Sequence, residues 1–464
     1  MMQNEVLMAQ ILILGAGLTG LSAAYHFEKK GFTDYLLVEK EDEIGGLCRS
    51  IYQDGFTFDY TGHLLHVSDP YFKNFIANTL GLENLTSIDR RSYIYLHDTF
   101  VAYPIQKNLF GLPTHVIVEC LEEFVKRPSN NSLPKNYYQW VEIHFGKGLA
   151  RHFFYPFQKK IFDYDLRRVT HHWTGRFVPS TSLTQMIEGA IENRGHESVG
   201  YNAHFYYPLS GGIASLIKSI ALQVKQPILT NHKVKLIDTK KKIVYFSNGH
   251  SEPYEILIST MPLPELLNCI KSGPLDRLKA TDRDLVCNSV VSFNLGIDRP
   301  DLSDKHWLYF PENQFPFYRL GFPHNFTKHA VPQGCSSLYG ECAFTKKSRK
   351  YAKQVTEQAI NKAKQFLGIK EQEVIMNHTI TLPYAYVLYT HWREKNLAQV
   401  HKRLNDIKIH SIGRYGAWKY SSMQEAVLDG KSIADMLTMV GSYSLIREKN
   451  YIIPITQKRE FEKQ

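Results

Sequence analysis

The chain of 464 residues lacks the features that would place it in several common protein classes. Its six cysteines include no C-x-x-C pair, so the sequence indicates neither a zinc site nor a disulfide framework. No apolar run is long enough to span a membrane, and the opening residues MMQNEVLMAQ are too short and too uncharged for a signal peptide. We therefore expect a cytoplasmic protein without an integral membrane segment.

The sequence also lacks internal repeats, low-complexity linkers and basic clusters with interleaved aromatic residues. Its formal net charge of +10 suits nucleic acid, an anionic membrane surface or small anionic substrates. Without a basic cluster, we expect no nucleic-acid partner. His63 and His66 are three positions apart, but no third ligand lies near them in sequence, so we predict no metal site.

Length and composition set the scale of the fold. A chain of 464 residues is too long for one ordinary hydrophobic core, so we expect two intertwined domains. Aromatic residues make up 13% of the chain, which suits a site that stacks flat rings. The sequence leaves the oligomeric state open.

A dinucleotide-binding pattern stands near the start of the chain, in residues 11–46. The apolar run ILIL at residues 11–14 predicts a buried parallel strand. Residues 21–30 then predict a helix, and residues 35–38 predict a second strand. This alternation is typical of a Rossmann-type fold.

Three glycines, Gly15, Gly17 and Gly20, lie between the first strand and the helix at G-x-G-x-x-G spacing. In this pattern the first allows a tight turn, the second lets the backbone approach a pyrophosphate, and the third lets the helix pack on the strand. The helix N-terminus offers free N–H groups to the phosphates. Glu39 follows about 20 residues later, where a carboxylate can accept hydrogen bonds from ribose hydroxyls. A glycine turn without a ligand is the competing interpretation.

The next glycine pair narrows the choice of nucleotide. Glu39 is followed by Gly45 and Gly46 at E-x5-G-G spacing, which resembles the FAD-binding amine oxidase and protoporphyrinogen oxidase superfamily. In that superfamily the second glycine pair also touches the cofactor, so the resemblance implies FAD. We also assign Lys40 and Val234 to the cofactor site, since Val234 opens a strand-like run predicted to belong to the nucleotide domain.

The strand, glycine turn and helix pattern recurs at residues 201–224 and 407–437. We predict an α/β fold in which a Rossmann-type, GR2-like FAD-binding domain is interleaved with an α+β substrate domain. The predicted segments are 8–90, 201–265 and 401–440 for the FAD domain, 91–200 and 266–400 for the substrate domain, and 441–464 for a tail.

Blocks that follow one another along the chain resemble the UDP-galactopyranose mutases, especially their eukaryotic-type branch. The resemblance covers most of the chain, and its most similar block is WLYFPENQFPFYR. From FDYTGHLLHVSD it implies that Gly62 and His63 lie near the reactive N5 edge of the flavin. From HHWTGRFVP and WLYFPENQFPFYR it places the two catalytic arginines at Arg176 and Arg319.

The same resemblance assigns further substrate and cofactor residues. YNAHFYYPLSGG places a substrate asparagine at Asn202, and Tyr318 precedes the second catalytic arginine. PYAYVLY places a substrate tyrosine at Tyr386. GRYGAWKYSSM places a flavin-contacting arginine at Arg414 and a tyrosine on the pyrophosphate side of the substrate at Tyr420.

These residue types suit a nucleotide-diphosphate sugar. Arginines bind a diphosphate bidentately, tyrosine hydroxyls donate without adding charge, and fixed cations stabilise the diphosphate as it leaves. The resemblance implies covalent catalysis by N5 of reduced FAD, with no net redox change, for surface polysaccharide biosynthesis. NAD(P)H is a candidate reductant, although the sequence shows no separate nicotinamide site.

Departures from the family pattern leave alternatives open. SSMQEAVLDGK replaces a polar stretch of the eukaryotic-type enzymes, Tyr389 competes with Tyr386, and neither the nucleotide nor the sugar is identified. An FAD-dependent oxidase, dehydrogenase or desaturase of the amine oxidase superfamily is the second hypothesis. A flavin-bound regulator without catalysis is the third, with no positive feature to support it.

Overall fold

The computed structural model describes residues 10–128, 133–193, 203–271, 284–345 and 349–441. In these ranges, two large sheets face a common cavity, helices pack on both, and three smaller sheets lie at their margins. Mixed α/β architecture was the expectation, and it is confirmed.

A five-stranded parallel sheet has the dinucleotide-binding strand at its centre. Its strands are, in spatial order, β20 (Ile409–Ser411), β13 (Ile256–Ser259), β1 (Ile11–Leu14), β2 (Tyr35–Val38) and β9 (Ile228–Leu229). Every residue of β1 is buried, as its continuous apolar run predicts. The strands come from the start, middle and end of the chain, so this layer forms only when distant segments meet.

Helices from the same chain regions pack on this sheet and share its core. They are α1 (Leu18–Lys29), α2 (Pro70–Thr79), α7 (Ala214–Ala221) and α12 (Met423–Gly441). A Cβ on Gly430 of α12 would lie 2.6 Å from the backbone nitrogen of Ala23, so a glycine allows α12 to approach α1 closely. α1 begins at Leu18, earlier than the predicted residue 21, because Gly17 is its N-cap.

A seven-stranded mixed sheet forms the opposite wall of the cavity. Its strands are, in spatial order, β19 (Val374–Leu382), β15 (Ser289–Ile297), β18 (Ser336–Phe344), β17 (Arg319–Gly321), β16 (Trp307–Tyr309), β6 (Ser92–Leu96) and β7 (Thr99–Ala102). All neighbours are antiparallel except β16 and β6. β16 and β17 form an antiparallel hairpin, and their register pairs Tyr309 with Arg319.

The alternating pattern at residues 93–101 forms the hairpin of β6 and β7 and not a single strand. His97 and Asp98 make its turn, with φ angles of 51° and 55°. Histidine and aspartate tolerate this left-handed region better than most residues, but neither is a strong turn signal as glycine is. The alternating pattern therefore predicts the strands and not the break between them.

The remaining helices are divided between the two large sheets: those in residues 114–191 and 349–367 pack with the mixed sheet, and those in residues 263–269 and 391–416 pack with the parallel sheet. They are α3 (Thr114–Val125), α4 (Tyr137–Leu149), α5 (Tyr155–Phe162), α6 (Leu183–Ile191), α8 (Leu263–Cys269), α9 (Arg349–Leu367), α10 (His391–Asp406) and α11 (Gly413–Gly416). α4 is broken at Gly146, whose φ is +75°. A Cβ there would lie 2.4 Å from the carbonyl oxygen of Glu123, so α3 packs against the break.

Three smaller sheets complete the description. They are β3 (Ser50–Gln53) with β4 (Phe56–Asp59), β5 (Leu85–Asp89) with β8 (His204–Pro208), and β12 (Ser251–Pro253), β11 (Ile243–Phe246), β10 (Val234–Asp238) and β14 (Ile270–Lys271) in one four-stranded sheet. The run predicted at 234–244 thus borders the nucleotide site from outside the parallel sheet. Among the described helices, none is both long and apolar enough to cross a lipid bilayer.

Candidate active site

A cavity of about 870 Å³ lies between the two large sheets. Residues at the carboxyl ends of β1 and β2, with the loops that follow them, line one side. Side chains of β16, β17 and β18 line the other. In doubly wound folds nucleotides bind at the carboxyl ends of the parallel strands, so this cavity is the candidate active site.

The glycine-rich turn between β1 and α1 lines one end of the cavity. Gly15 has a φ of +102°, and a Cβ there would lie 2.3 Å from Thr260 Oγ1. A Cβ on Gly20 would lie 1.9 Å from the carbonyl oxygen of Gly15, so the fold itself requires both glycines. A Cβ on Gly17 would be 3.8 Å from Gly46 Cα, an ordinary contact, so the fold alone does not require that glycine.

Glu39 follows β2 directly and has a buried carboxylate at the cavity. Its Oε2 accepts a hydrogen bond from Ala16 N at 2.8 Å, and its Oε1 accepts from the amides of Lys40 and Glu41 at 2.9 and 3.1 Å. Three backbone donors therefore fix the carboxylate beside the glycine turn. Lys40 contributes its backbone N–H there, while its ammonium lies 3.4 Å from the Glu41 carboxylate.

The other predicted cofactor residues of this end also line the cavity. Gly45 and Gly46 have φ angles of +113° and +59°, and Gly45 N donates to the Ala16 carbonyl at 2.9 Å. The second glycine pair is thereby held against the first glycine turn. Val234 lines the cavity from the first residue of β10.

Gly62 and His63 lie where the hairpin β3–β4 leads into the cavity. A Cβ on Gly62 would lie 2.4 Å from the hydroxyl oxygen of Tyr339, so a side chain there would displace Tyr339. Burial, followed by the charge of Arg414, lowers the pKa of His63 to about 4. His63 is therefore neutral near pH 7, and its buried Nδ1 has no hydrogen-bond partner among the described residues.

Arg319, Tyr318 and Glu341 form a buried polar group on the wall made by the mixed sheet. The register of β17 and β18 places Arg319 directly opposite Glu341. The guanidinium donates to Glu341 Oε1 from Nε at 3.2 Å and from Nη2 at 2.5 Å, and the Tyr318 hydroxyl donates to the other carboxylate oxygen. The Glu341 side chain is only 1% exposed, so it fixes both partners and leaves Nη1 of Arg319 for another ligand.

Arg414 brings a second cation to the same cavity. Its Nη2 donates to the Ala385 carbonyl at 2.9 Å, and its Nη1 donates to the Ser421 carbonyl. The guanidinium carbon lies 5.1 Å from the centre of the Tyr420 ring. No carboxylate among the described residues pairs with Arg414, and its buried Nε has no hydrogen-bond partner there, so its positive charge is uncompensated.

Tyr386 and Tyr420 line the cavity beside Arg414 and stack on each other, with ring centres 6.0 Å apart and planes at 14°. Tyr389, which competes with Tyr386 on sequence grounds, has a different place. It lies in the core, its hydroxyl accepts from Tyr420 N at 3.1 Å, and Arg393 covers its ring at 3.5 Å. Among these two, Tyr386 is the one that lines the cavity.

Two predicted residues are not placed by the structure. Asn202 lies outside the described residues. Arg176 belongs to a short helical turn, Gly175–Phe177, whose neighbour Phe177 lines the cavity, but the Arg176 side chain lies outside the described part. The roles of both stay predictions.

The structure adds residues that the sequence patterns do not single out. Glu341 and Tyr339 on β18, and Tyr309 on β16, line the cavity from the two strands that flank β17. One signal for Glu341 was present: it is the only charged residue in the strand sequence SSLYGECAF, which is otherwise suited to a buried strand. Its partner could not be read from the sequence, because the pairing of β17 with β18 is a tertiary contact.

Known proteins resemble this chain over different extents. A family model described as flavin containing amine oxidoreductase matches residues 18–437. The chain is 24% identical over 342 residues to the 4,4'-diapolycopene oxygenase of Methylomonas sp., which is 65% of each chain. It is 21% identical over 333 residues to the 4,4'-diapophytoene desaturase of Staphylococcus aureus strain COL, 62% of this chain and 63% of that one. It therefore spans about 65% of the length of these curated relatives.

A solved structure resembles the chain over nearly its whole length. The crystal structure of a reduced UDP-galactopyranose mutase matches with a TM-score of 0.87 and 27% sequence identity, covering 94% of each chain. The predicted resemblance to this group, within the amine oxidase superfamily, is confirmed. The predicted fold class, a Rossmann-type FAD domain interleaved with an α+β domain, is confirmed with it.

The cavity residues fit a flavin dinucleotide. The turn of Gly15 and Gly17 with the fixed carboxylate of Glu39 suits a pyrophosphate and a ribose. At the other end, the buried Nδ1 of His63 and Nε of Arg414 have no hydrogen-bond partner among the described residues, as polar groups that face a ring system would. The residues present are therefore compatible with FAD.

Proposed function

This chain belongs to the flavin containing amine oxidoreductase family, and we propose that it is an FAD-dependent isomerase that interconverts pyranose and furanose forms of a nucleotide-diphosphate sugar. The observation that carries the proposal is the presence of Arg319 and Arg414 among tyrosines in a cavity of a UDP-galactopyranose mutase-like fold. UDP-galactopyranose is the first substrate to test. The product would serve surface polysaccharide biosynthesis.

The charge balance of the cavity supports an anionic ligand. Glu341 compensates Arg319, whereas Arg414 has no carboxylate partner among the described residues and His63 is neutral near pH 7. A diphosphate carries about two negative charges and accepts bidentate hydrogen bonds from arginine. From the family resemblance, we assign Arg176 as a further diphosphate ligand and Asn202 as a substrate ligand.

The reaction breaks and re-forms the anomeric C–O bond between sugar and diphosphate, and the sugar ring opens and recloses in the other size. Charge grows on the diphosphate as this bond breaks, so a guanidinium already fixed in place stabilises the transition state without reorganising. Glu341 provides that fixation for Arg319 by accepting two of its hydrogen bonds.

Three tyrosines complete the polar wall. Tyr318 is oriented by Glu341, while Tyr386 and Tyr420 stack beside Arg414. We propose that the hydroxyls of Tyr386 and Tyr420 donate to diphosphate oxygens, and that His63 lies beside the cofactor. FAD, when bound and reduced, supplies the nucleophilic chemistry that no side chain of the cavity provides, and NAD(P)H is the proposed reductant.

An oxidoreductase acting on an apolar substrate is the second candidate, and the names of the curated relatives favour it. A hydrocarbon in this cavity would remove water from Arg319, Arg414 and Glu341 without replacing their hydrogen bonds. Burial of charged groups against apolar atoms is costly. The lining therefore supports the isomerase over this alternative.

The experiment is anaerobic turnover of the purified, FAD-loaded protein. The enzyme is reduced with dithionite and given UDP-galactopyranose, then a panel of other nucleotide sugars, and products are separated by chromatography. We expect a new peak of equal mass with reduced enzyme and none with oxidised enzyme. Arg319→Lys should lower the rate on the order of 100-fold, since lysine cannot replace a preoriented bidentate donor.

Arg167→Lys is the matched control, because this arginine side chain is 74% exposed and lies outside the cavity. Its turnover should equal that of the unmodified protein. The proposal is wrong if no sugar is isomerised while the flavin is reduced by an amine or by a polyene that loses hydrogen.

A further inference from the structure

α5 lies outside the cavity but holds the turn that leads into Arg319. Lys160, on α5, donates from Nζ to the carbonyl oxygens of Phe310 at 2.7 Å, Phe315 at 2.9 Å and Glu312. An ammonium has three protons, so these three carbonyls use its whole donor capacity. All three belong to the turn between β16 and β17, residues 310–318.

This turn has few hydrogen bonds of its own. Phe315 N donates to the Glu312 carbonyl at 3.3 Å, and Phe310 N donates to the Tyr318 carbonyl at 3.0 Å where the hairpin closes. Pro311 and Pro316 have no N–H to donate. The Lys160 ammonium therefore supplies hydrogen bonds that the turn cannot make within itself.

The turn ends at Tyr318, next to Arg319, which we propose binds the anion. Tyr318 N donates to the Glu341 carbonyl at 3.0 Å, and Arg319 follows as the first residue of β17. A shift of the turn would move the backbone hydrogen bond between Tyr318 and Glu341. It would also move the hydrogen bonds that the Tyr318 and Arg319 side chains donate to the Glu341 carboxylate. Backbone order at residues 310–318 and side-chain order in the cavity are thereby coupled.

The rest of α5 contacts the same wall. Phe157 and Ile161 pack in one cluster with Tyr318. The Ile161 carbonyl accepts from Asn288, whose Oδ1 in turn accepts from Tyr386 N at 2.7 Å. One helix thus fixes two cavity tyrosines from behind.

Burying the Lys160 ammonium away from water has a free-energy cost. Removal from water lowers the pKa of its ammonium to about 7, although Cys342 on β18 and Glu312 in the turn act in the opposite direction. An apolar side chain would fill the same space without this cost. That apolar side chain would, however, leave the carbonyl oxygens of Phe310, Glu312 and Phe315 without the donor they have now.

We propose that Lys160 is the positioning residue of the anion site: its three hydrogen bonds set the turn 310–318 so that Tyr318 and Arg319 meet Glu341 at the cavity. The identity of the anion rests on the function proposed above, whereas the link between Lys160 and the turn does not. The matched control is Lys159, the exposed neighbour on the same helix.

The first experiment measures amide hydrogen exchange in the FAD-loaded protein. With Lys160→Met, we expect the amides of Phe310 and Tyr318 to exchange about tenfold faster or more, because several net hydrogen bonds are lost. Lys159→Met should leave both rates unchanged, and the flavin absorbance should stay the same in all variants. Equal protection in Lys160→Met and the unmodified protein would overturn the proposal.

The second experiment measures the affinity for UDP from the change in flavin fluorescence. Lys160→Met should weaken UDP binding on the order of tenfold, and Lys160→Arg should restore it, because a guanidinium offers five donors to the same carbonyls. Faster exchange with unchanged UDP affinity would overturn the positioning role.

The two experiments separate this inference from the proposed function. If the unmodified protein binds no UDP, the proposed function is wrong, and the exchange rates alone then decide whether Lys160 sets the turn. If Lys160→Met does not fold, Lys160→Gln, which keeps two donors, takes its place. Unchanged protection of Tyr318 in that variant would overturn the proposal.

Discussion

Among individual residues, Gly17 allows ligand binding to be measured apart from folding. A Cβ there would lie 3.8 Å from Gly46 Cα, an ordinary contact, yet it would occupy space that a pyrophosphate needs. We predict that Gly17→Val lowers the affinity for FAD on the order of 100-fold and leaves the free energy of unfolding of the FAD-free protein unchanged. Equilibrium binding of FAD and urea denaturation check the two parts.

Gly20→Ala is the contrasting variant. Its Cβ would lie 1.9 Å from the carbonyl oxygen of Gly15, so it should destabilise the FAD-free protein as well. Normal flavin occupancy in Gly17→Val would refute the dinucleotide assignment.

The pair of Arg319 and Glu341 predicts a large effect of removing one charge. Glu341→Gln leaves the guanidinium, which is 18% exposed, without its counter-charge, and we expect the free energy of unfolding to fall by ~3 kcal/mol. Turnover should fall too, because the anion site loses its fixed geometry. Urea denaturation of the FAD-loaded protein measures the first effect.

An exposed ion pair provides the control. In the pair of Lys126 and Glu122 the side chains are 61% and 58% exposed. Glu122→Gln should therefore lower the free energy of unfolding by less than about 0.5 kcal/mol. If Glu341→Gln and Glu122→Gln lowered the free energy of unfolding equally, Arg319 and Glu341 would not be a buried charge pair.

The spacing of residues in the sequence predicts the role of a residue where that role depends only on its neighbours along the chain. The turn glycines follow from a strand, a spacing and a helix that are contiguous, and they all line or support the cavity. Glu341 does not follow from any such pattern, because its function depends on a partner 22 residues away across two strands. A motif cannot encode that pairing; the sheet register does.

Among the secondary-structure elements, the contact of α1 with α12 depends on a glycine. A Cβ on Gly430 would lie 2.6 Å from Ala23 N, so Gly430→Ala must push the two helices apart. We predict a loss of about 2 kcal/mol in the free energy of unfolding and weaker FAD retention, because Met423 and Ala426 of the same helix line the cavity.

Thermal unfolding with and without FAD checks this prediction. Ser432→Ala, at an exposed position two residues along the helix, is the control and should behave as the unmodified protein does. If Gly430→Ala were equally harmless, the two helices would not be in close contact.

Element positions were predicted well where apolar periodicity is continuous and poorly where the chain turns without a strong signal. β1 and β2 occupy the predicted residues. The interruption at Gly146 was not predicted, because its left-handed φ depends on packing against α3 rather than on neighbouring residues. The turn at His97 escaped prediction for a related reason.

For the molecule as a whole, buried histidines predict how stability varies with pH. Burial is the largest cause that lowers the pKa of His63, His401 and His410 to about 4, from an ordinary value of 6.5. Unfolding restores the ordinary value, so the unfolded chain binds more protons between pH 6.5 and 4. The free energy of unfolding should therefore fall as the pH decreases through this window, by up to about 1.4 kcal/mol per pH unit for each fully shifted histidine.

Asp59 acts in the opposite direction. Burial raises its pKa to about 6, so below that pH the folded protein keeps a proton on Asp59 that the unfolded chain releases. The contribution of Asp59 to the free energy of unfolding therefore increases as the pH falls. Urea denaturation at pH 7 and pH 5 measures the sum. His401→Gln should flatten the dependence, because it removes one of the three histidines whose pKa is lowered by burial; an unchanged slope in this variant would contradict the assignment.

The order in which the parallel sheet is assembled has a consequence for synthesis on the ribosome. β1 and β2 emerge first, β13 pairs with β1 more than 200 residues later, β20 follows only at residues 409–411, and α12 ends at residue 441. Until then β13 presents an open edge, and neither Arg414 nor Tyr420 exists beside the cavity. A nascent chain thus carries the glycine turn long before it can enclose a flavin, so FAD binds late in synthesis. A chain whose synthesis stops before β20 would expose the unpaired edge of β13 to other chains.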